Sequence, residues 1–174
     1  ELAGLQQRLL VAYGETCGGQ WSRVEPDGYF YGQAARHFRL AGQGERLKAL
    51  LLDYGWLARK LEVAGVNGLL ADYEGLLTDP ELKLVQATLR LSAHVLVIPV
   101  QLTERLWGHL RDKPQQEIQF LLCQAEQTYT HPWLRPTYGN LTVPDGPLRR
   151  TLSGHIYWVH SVAISPDGKR VVSG

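Results

Sequence analysis

A chain of 174 residues has room for one domain, or for one domain and part of a second. Its 44% hydrophobic content suffices for a buried core, while 18 basic against 17 acidic residues leave a net charge of +1, too weak a field to gather nucleic acid or an anionic membrane. The longest apolar run, residues 95–100 with Pro99 inside it, falls far short of the roughly 20 residues a transmembrane helix needs.

The amino end, Glu1-Leu2-Ala3, has no initiator Met and lacks the basic-then-apolar layout of a signal peptide, so residue 1 reads as a cut end. Leu2, Leu5, Leu9 and Ala12 share one helical face, with Gly14 as its stop. Residues 14–28 carry Gly18, Gly19, Pro26, Asp27 and Gly28 and read as a loop. A helix over 29–41 follows, striped by Phe30, Ala34, Phe38 and Ala41 and closed by Gly42. Residues 45–52 make a short helix with Leu47, Leu50 and Leu51 inward, and Asp53 caps the next, which carries Trp56, Leu57 and Leu61. Gly65 interrupts, and Asn67 is a candidate cap for a helix with Leu69, Leu70, Tyr73, Leu76 and Leu77 inside.

Thr78-Asp79-Pro80-Glu81 has the capping-box spacing, with Pro in the first turn. The helix it starts carries Leu82, Leu84, Val85, Leu89, Leu91, Val95 and Leu96 on more than one face and is expected to be the most buried. Pro99 ends it or begins the next, marked by Leu102, Leu106, Trp107 and Leu110. Pro114 opens a last helix with Ile118, Leu121, Leu122 and Ala125 at i, i+3, i+4 and i+7. Short connections favour antiparallel neighbours, so six to eight helices in a compact array are expected. Residues 131–147 hold Pro132, Pro136, Pro144, Pro147, Gly139 and Gly146 and read as an extended linker that can pack along the helices through Trp133 and Tyr138. Beyond it, residues 158–165 and 170–173 alternate as strands around Pro166-Asp167-Gly168, which predicts a hairpin.

Leu152-Ser153-Gly154-His155, followed by the apolar strand and Ser165-Pro166-Asp167-Gly168, resembles the opening half of a WD repeat. The resemblance implies structural roles for Gly154, His155, Asp167, Gly168 and Ser173, with His155 bonding inward and Ser173 a candidate partner; the closing Trp-Asp of such a repeat lies beyond Gly174. The helical part resembles the helical domain of the apoptotic protease-activating-factor class of STAND ATPases. Leu50-Leu51-Leu52-Asp53-Tyr54-Gly55-Trp56-Leu57-Ala58-Arg59-Lys60-Leu61 and Asn67-Gly68-Leu69-Leu70-Ala71-Asp72-Tyr73 carry it, with Asp27-Gly28-Tyr29-Phe30 and His37 upstream. In that class a nucleotide-binding ATPase and a winged helix precede this domain and WD repeats follow. The organisation implied is the end of a winged-helix domain at 1–13, a helical domain at 14–130, a linker at 131–150 and a partial first WD repeat at 151–174. The partners implied are the flanking ATPase and winged helix and the downstream propeller of the same protein, with a homo-oligomer formed through the parent as a further option.

Chemistry is not expected of this piece. Gly168-Lys169 is followed by Arg170 in a turn, and Gly42-Gln43-Gly44 lacks a third Gly and a preceding strand, so neither is a phosphate loop. His155 and His160 have no Cys nearby for zinc, and His37, His94 and His109 stand singly, as solvated or capped helix residues. Cys17 reads as an exposed loop thiol, Cys123 as a small core hydrophobe, and both as reduced cytoplasmic cysteines too few for a disulfide framework. Asp72 and Glu74 read as solvated. The basic residues are scattered, and Tyr29, Tyr31, Tyr54, Trp56, Trp107 and Trp133 fall mostly at core-facing positions. The sequence thus predicts a mainly α protein with a C-terminal β-hairpin and no cofactor, metal or catalytic residue. Its role is that of a mechanical connector between an ATPase and a sensing propeller in a cytoplasmic signalling protein. The rivals are an independent helical scaffold for peptides or proteins and, behind it, a small hydrolase using Cys17 or His37.

Overall fold

The apolar periodicity folds into seven α-helices among the residues that the computed structural model describes, which are 2–76, 78–128, 133, 135, 141, 142, 144 and 159–174. They are α1 (Leu2–Thr16), α2 (Phe30–Leu40), α3 (Gly44–Leu51), α4 (Tyr54–Ala71), α5 (Pro80–Ser92), α6 (Pro99–Leu110) and α7 (Gln116–Thr128). A short 3-10 turn at Trp21–Arg23 lies between α1 and α2. An antiparallel hairpin of β1 (Val162–Ile164) and β2 (Val171–Ser173) pairs Val162 with Ser173 and Ile164 with Val171. The mainly α architecture is the one expected, with strands shorter than the alternation suggested.

α4 is the centre of the array, packing against α2, α3, α5, α6 and α7. Its start is set by Asp53, whose carboxylate accepts from the Trp56 amide at 2.7 Å, and by Gln124 of α7, which accepts from the Tyr54 amide at 2.9 Å. Both satisfy amides that have no partner within the first helical turn. Trp56, Leu57 and Leu61 are fully or nearly fully buried beneath Phe30, Ala34 and Phe38 of α2 and Leu47 and Leu51 of α3. On the other side Tyr54 meets Thr103 of α6 hydroxyl to hydroxyl at 2.6 Å. Ile118, Leu121, Leu122 and Ala125 bury the predicted stripe of α7, and α5 is buried over most of its length.

Several local expectations change. α1 does not stop at Gly14, whose missing side chain instead makes room for Trp21, 3.3 Å from where a Cβ would stand. Nor does α1 bury Leu2, Leu5, Leu9 and Ala12. Leu2 and Leu5 are 58% and 59% exposed, and the helix turns Leu10 and Tyr13 inward, Tyr13 lying tilted against Phe30 with ring centroids 4.3 Å apart and donating to Asp27. Cys17 is buried, its thiol donating to the Gly14 carbonyl, whereas Cys123 is exposed. Asp79 rather than Thr78 caps α5, accepting from the Glu81 and Leu82 amides at 3.1 Å. Its carboxylate is the better acceptor, and it also meets Lys48 of α3 at 2.7 Å. Lys48 gathers Glu81 and Glu117 as well, each at 3.3 Å, and ties the starts of α5 and α7 to α3. Pro99 opens α6, with the Gln101 side chain accepting from the Val97 and Ile98 amides.

The expected break at Gly65 is present as a kink inside α4, where φ is 68° and ψ is 177°. That backbone is open to glycine and strained for any other residue. Asn67 lies exposed just after the kink. Gly65→Ala is expected to destabilise the fold by about 1–3 kcal/mol. An earlier urea midpoint with an unchanged slope checks this, and an unchanged midpoint would mean that the helix straightens without penalty.

Candidate functional site

α6 carries a glycine, Gly108, in its interior, where glycine costs about 1 kcal/mol relative to alanine. Its use is steric. Leu141, from the segment after α7, lies against the bare backbone, with its Cγ 2.9 Å from where a Cβ would stand. The next residue is fastened too, because the Thr142 carbonyl lies 2.7 Å from Nδ1 of His109. A carbonyl only accepts, so Nδ1 carries the proton, and in the neutral ring Nε2 is then free to accept from the Ser92 hydroxyl of α5, 3.3 Å away. Burial holds His109 below the ordinary histidine value; the Thr142 carbonyl opposes this and Arg105 adds to it. The imidazole is therefore neutral at physiological pH and bridges α5, α6 and the downstream segment.

Immediately before Gly108, Trp107 extends the contact with the downstream segment. Its indole is nearly buried, Trp133 packs on it with ring centroids 6.1 Å apart, and the Arg135 guanidinium lies 4.1 Å from the ring centroid. Arg135 also donates to Glu126 of α7 at 2.6 Å. Cation–aromatic contact of this kind adds roughly 0.5–1 kcal/mol at exposed sites. Pro144 is buried as well. Trp133 thus packs along the helices as expected, while Tyr138 lies outside the described residues.

Gly108→Leu is expected to overpack this notch and expel Leu141, since inserted methylenes cost about 1–3 kcal/mol where a site is already filled. Hydrogen exchange then speeds up in peptides covering 133–144 while α4 and α7 keep their protection. Unchanged exchange in that segment would show that Leu141 does not depend on the glycine.

Gly154 and His155 lie outside the described residues. Asp167 and Gly168 form the hairpin turn, with Gly168 at φ 68° and the Asp167 carboxylate accepting from the Ser165 hydroxyl at 2.5 Å and the Lys169 amide at 3.1 Å. These bonds, the hydroxyl first, hold Asp167 below the ordinary carboxylate range. Ser173 stands opposite Val162 at the end of β2.

Two groups read as solvated are in fact internal. His37 is buried, with Nδ1 engaged by Gln6 of α1, and burial followed by Arg36 lowers its pKa. Asp72 is buried and paired with Lys60 at 3.1 Å. Tyr29, by contrast, is 48% exposed. A groove of about 650 Å³ lies between the 3-10 turn, α3, the start of α4 and the end of α7. Its polar side chains are largely committed to the fold: Asp53 and Gln124 cap α4, Arg46 donates to Gln43, and Gln127 donates to the Cys123 sulfur. Among the described residues no cluster of three His, Cys, Asp or Glu could hold a metal, and no helix is long and apolar enough to cross a membrane.

One sequence signal marks the α6 surface: the lone glycine inside a helical stripe, a common sign of a close approach. The partner, more than thirty residues on, carried no such mark.

Comparison with known proteins gives a family model described as the APAF-1 helical domain over residues 2–135. A curated relative, NACHT domain- and WD repeat-containing protein 1 of Mus musculus, is 29% identical over 154 residues, which cover 79% of this chain and 10% of that protein. The chain therefore spans about a tenth of the length of the curated relative it matches. No solved structure matches.

Proposed function

The chain belongs to the APAF-1 helical domain family, and from that premise we propose that it is the non-catalytic connector of a larger STAND-type ATPase, holding the nucleotide-binding part at a set distance and angle from a WD-repeat propeller. α1 is then part of the spacer, which runs to residue 130, with 131–150 the linker and 151–174 the opening of the first WD repeat. Gly154, His155, Asp167, Gly168 and Ser173 serve that repeat structurally. Ligand contact at the propeller would bias the ATPase between assembly states, which requires contacts that differ between those states. The whole would work as a cytoplasmic signalling protein.

The observation that supports this most is the attachment of the segment after α7 to α6. Leu141 against Gly108 and the Thr142 carbonyl on His109 fasten two residues of the outgoing chain to α6. A flexible tether would transmit position only loosely, whereas a docked segment passes on rotation and displacement.

The test uses the longer protein. Removal of everything after residue 150 changes nucleotide hydrolysis if the propeller is coupled to the ATPase. Gly108→Leu is expected to shift hydrolysis in the same direction by loosening the coupling. A truncation effect combined with an unchanged rate in Gly108→Leu would overturn the role given to this surface.

A further inference from the structure

The Lys60 ammonium is 1% exposed and sits among three groups. It donates to the Tyr31 carbonyl of α2, pairs with the Asp72 carboxylate at 3.1 Å, and lies 5.8 Å from the centroid of the Trp56 ring. Lys60 stands before the Gly65 kink and Asp72 is the residue that ends α4 after it, so the pair spans the one place where this helix is broken. The six residues between the kink and Asp72 are too few to hold as a helix on their own, since even chains of about 12–15 residues are marginal. Tertiary contacts fasten them: Leu69 in the core and the Asp72 carboxylate on Lys60.

The carboxylate is poorly provided for. Oδ1 has Lys60, and the Trp56 indole N–H adds a weak hydrogen bond to the carboxyl group, while Oδ2 lacks a well-formed partner. An ionised carboxylate has about four acceptor sites and is costly to bury with so few filled, whereas a protonated carboxyl is neutral and carries its own donor. The charged and titratable groups around it are Lys60 of α4, Arg39 of α2, which donates to the Glu74 carbonyl, and the neighbouring Tyr73, whose buried phenol bonds to the Leu51 carbonyl of α3.

We propose that Lys60 and Asp72 form a proton-sensitive clasp across the Gly65 kink, one that closes more firmly as the solution turns acidic. When the segment after the kink opens, Asp72 meets water and behaves as an ordinary carboxylate. When it is closed, burial outweighs Lys60, Arg39 and the Trp56 indole and pushes Asp72 up from 3.8 to about 6. The closed form thus binds the proton more tightly. Its advantage is complete below the open-state value and is lost as pH rises through about 6.

The intact chain at pH 7.5 and pH 5.0 tests this. After correction for intrinsic exchange, amide protection of residues 66–72 is expected to rise about tenfold at the lower pH. Asp72→Asn, which cannot titrate, is expected to remove that rise; protection that falls with pH, or an equal rise in Asp72→Asn, overturns the proposal. A carboxyl carbon titration by NMR on the unaltered protein decides the matter even if the variant does not fold. An Asp72 midpoint near 6 supports the clasp, and one at or below the ordinary carboxylate value overturns it.

Discussion

Trp56→Ala is expected to lower stability by about 3–5 kcal/mol, as truncation of a buried Trp or Phe usually does. Trp56 is fully buried in the first turns of α4, the helix that most of the array packs against. Its ring stacks on Tyr31 at 5.2 Å and meets Phe30 edge-on at 6.0 Å. Phe30 in turn packs against Tyr13 of α1 and Trp21 of the 3-10 turn, and Trp21 meets Phe38. Removing the indole therefore opens the aromatic layer between α1, α2 and α4 as well as one contact. Because domains commonly hold only about 5–15 kcal/mol in total, the variant should unfold at much lower urea or lack a folded baseline. Trp56→Phe keeps part of the ring and should fall between the two. A loss below about 1 kcal/mol for the alanine variant would mean that this layer is not part of the structural core.

A comparable effect is expected for Lys60→Ala, about 3–5 kcal/mol, since removing one partner of a buried ion pair leaves the other charge uncompensated. Asp72 would then stay buried with no ammonium beside it, and the Tyr31 carbonyl would lose its donor. The double variant Lys60→Ala/Asp72→Ala should be less destabilised than the sum of the two single ones by roughly 1 kcal/mol or more, as groups in one network couple. The pH dependence has a definite sign. Without Lys60 the Asp72 carboxyl is still harder to ionise, so the deficit of Lys60→Ala should shrink as pH falls from 8 to 5. Unfolding curves at both values, with a deficit that stays constant or grows, would show that Asp72 is not the group left uncompensated.

These two predictions draw on features of unequal visibility in the sequence. The aromatic layer was legible because Phe30, Ala34 and Phe38 repeat at helical spacing, and Trp56 and Leu57 follow a cap, Asp53, that the structure uses. The α7 stripe from Ile118 to Ala125 was equally plain. The Lys60–Asp72 pair was not, because its members are twelve residues apart across a kink, and a charged residue beside Arg59 or Glu74 looks solvated until the chain folds back. α1 misled for a different reason. It has two apolar faces, and the one with more leucines is exposed, while the buried one carries Gln6, whose use becomes plain only beside His37. At Thr78-Asp79 two candidate caps adjoin, and Lys48, thirty residues earlier, favours the aspartate. The attachment on α6 joins residues of ordinary type through shape and one backbone carbonyl, and local periodicity says nothing of either.

The connector reading stands on that attachment, and a distance distribution measures it directly. Cys123 is exposed on α7 and Thr142 is exposed at the docked segment; with Cys17 replaced by alanine, spin labels at Cys123 and at Thr142→Cys report the separation by pulsed electron resonance. A single narrow distribution that broadens on adding Gly108→Leu is the expected result. A broad distribution with Gly108 intact would contradict the account, because the outgoing chain would then have no fixed direction to transmit.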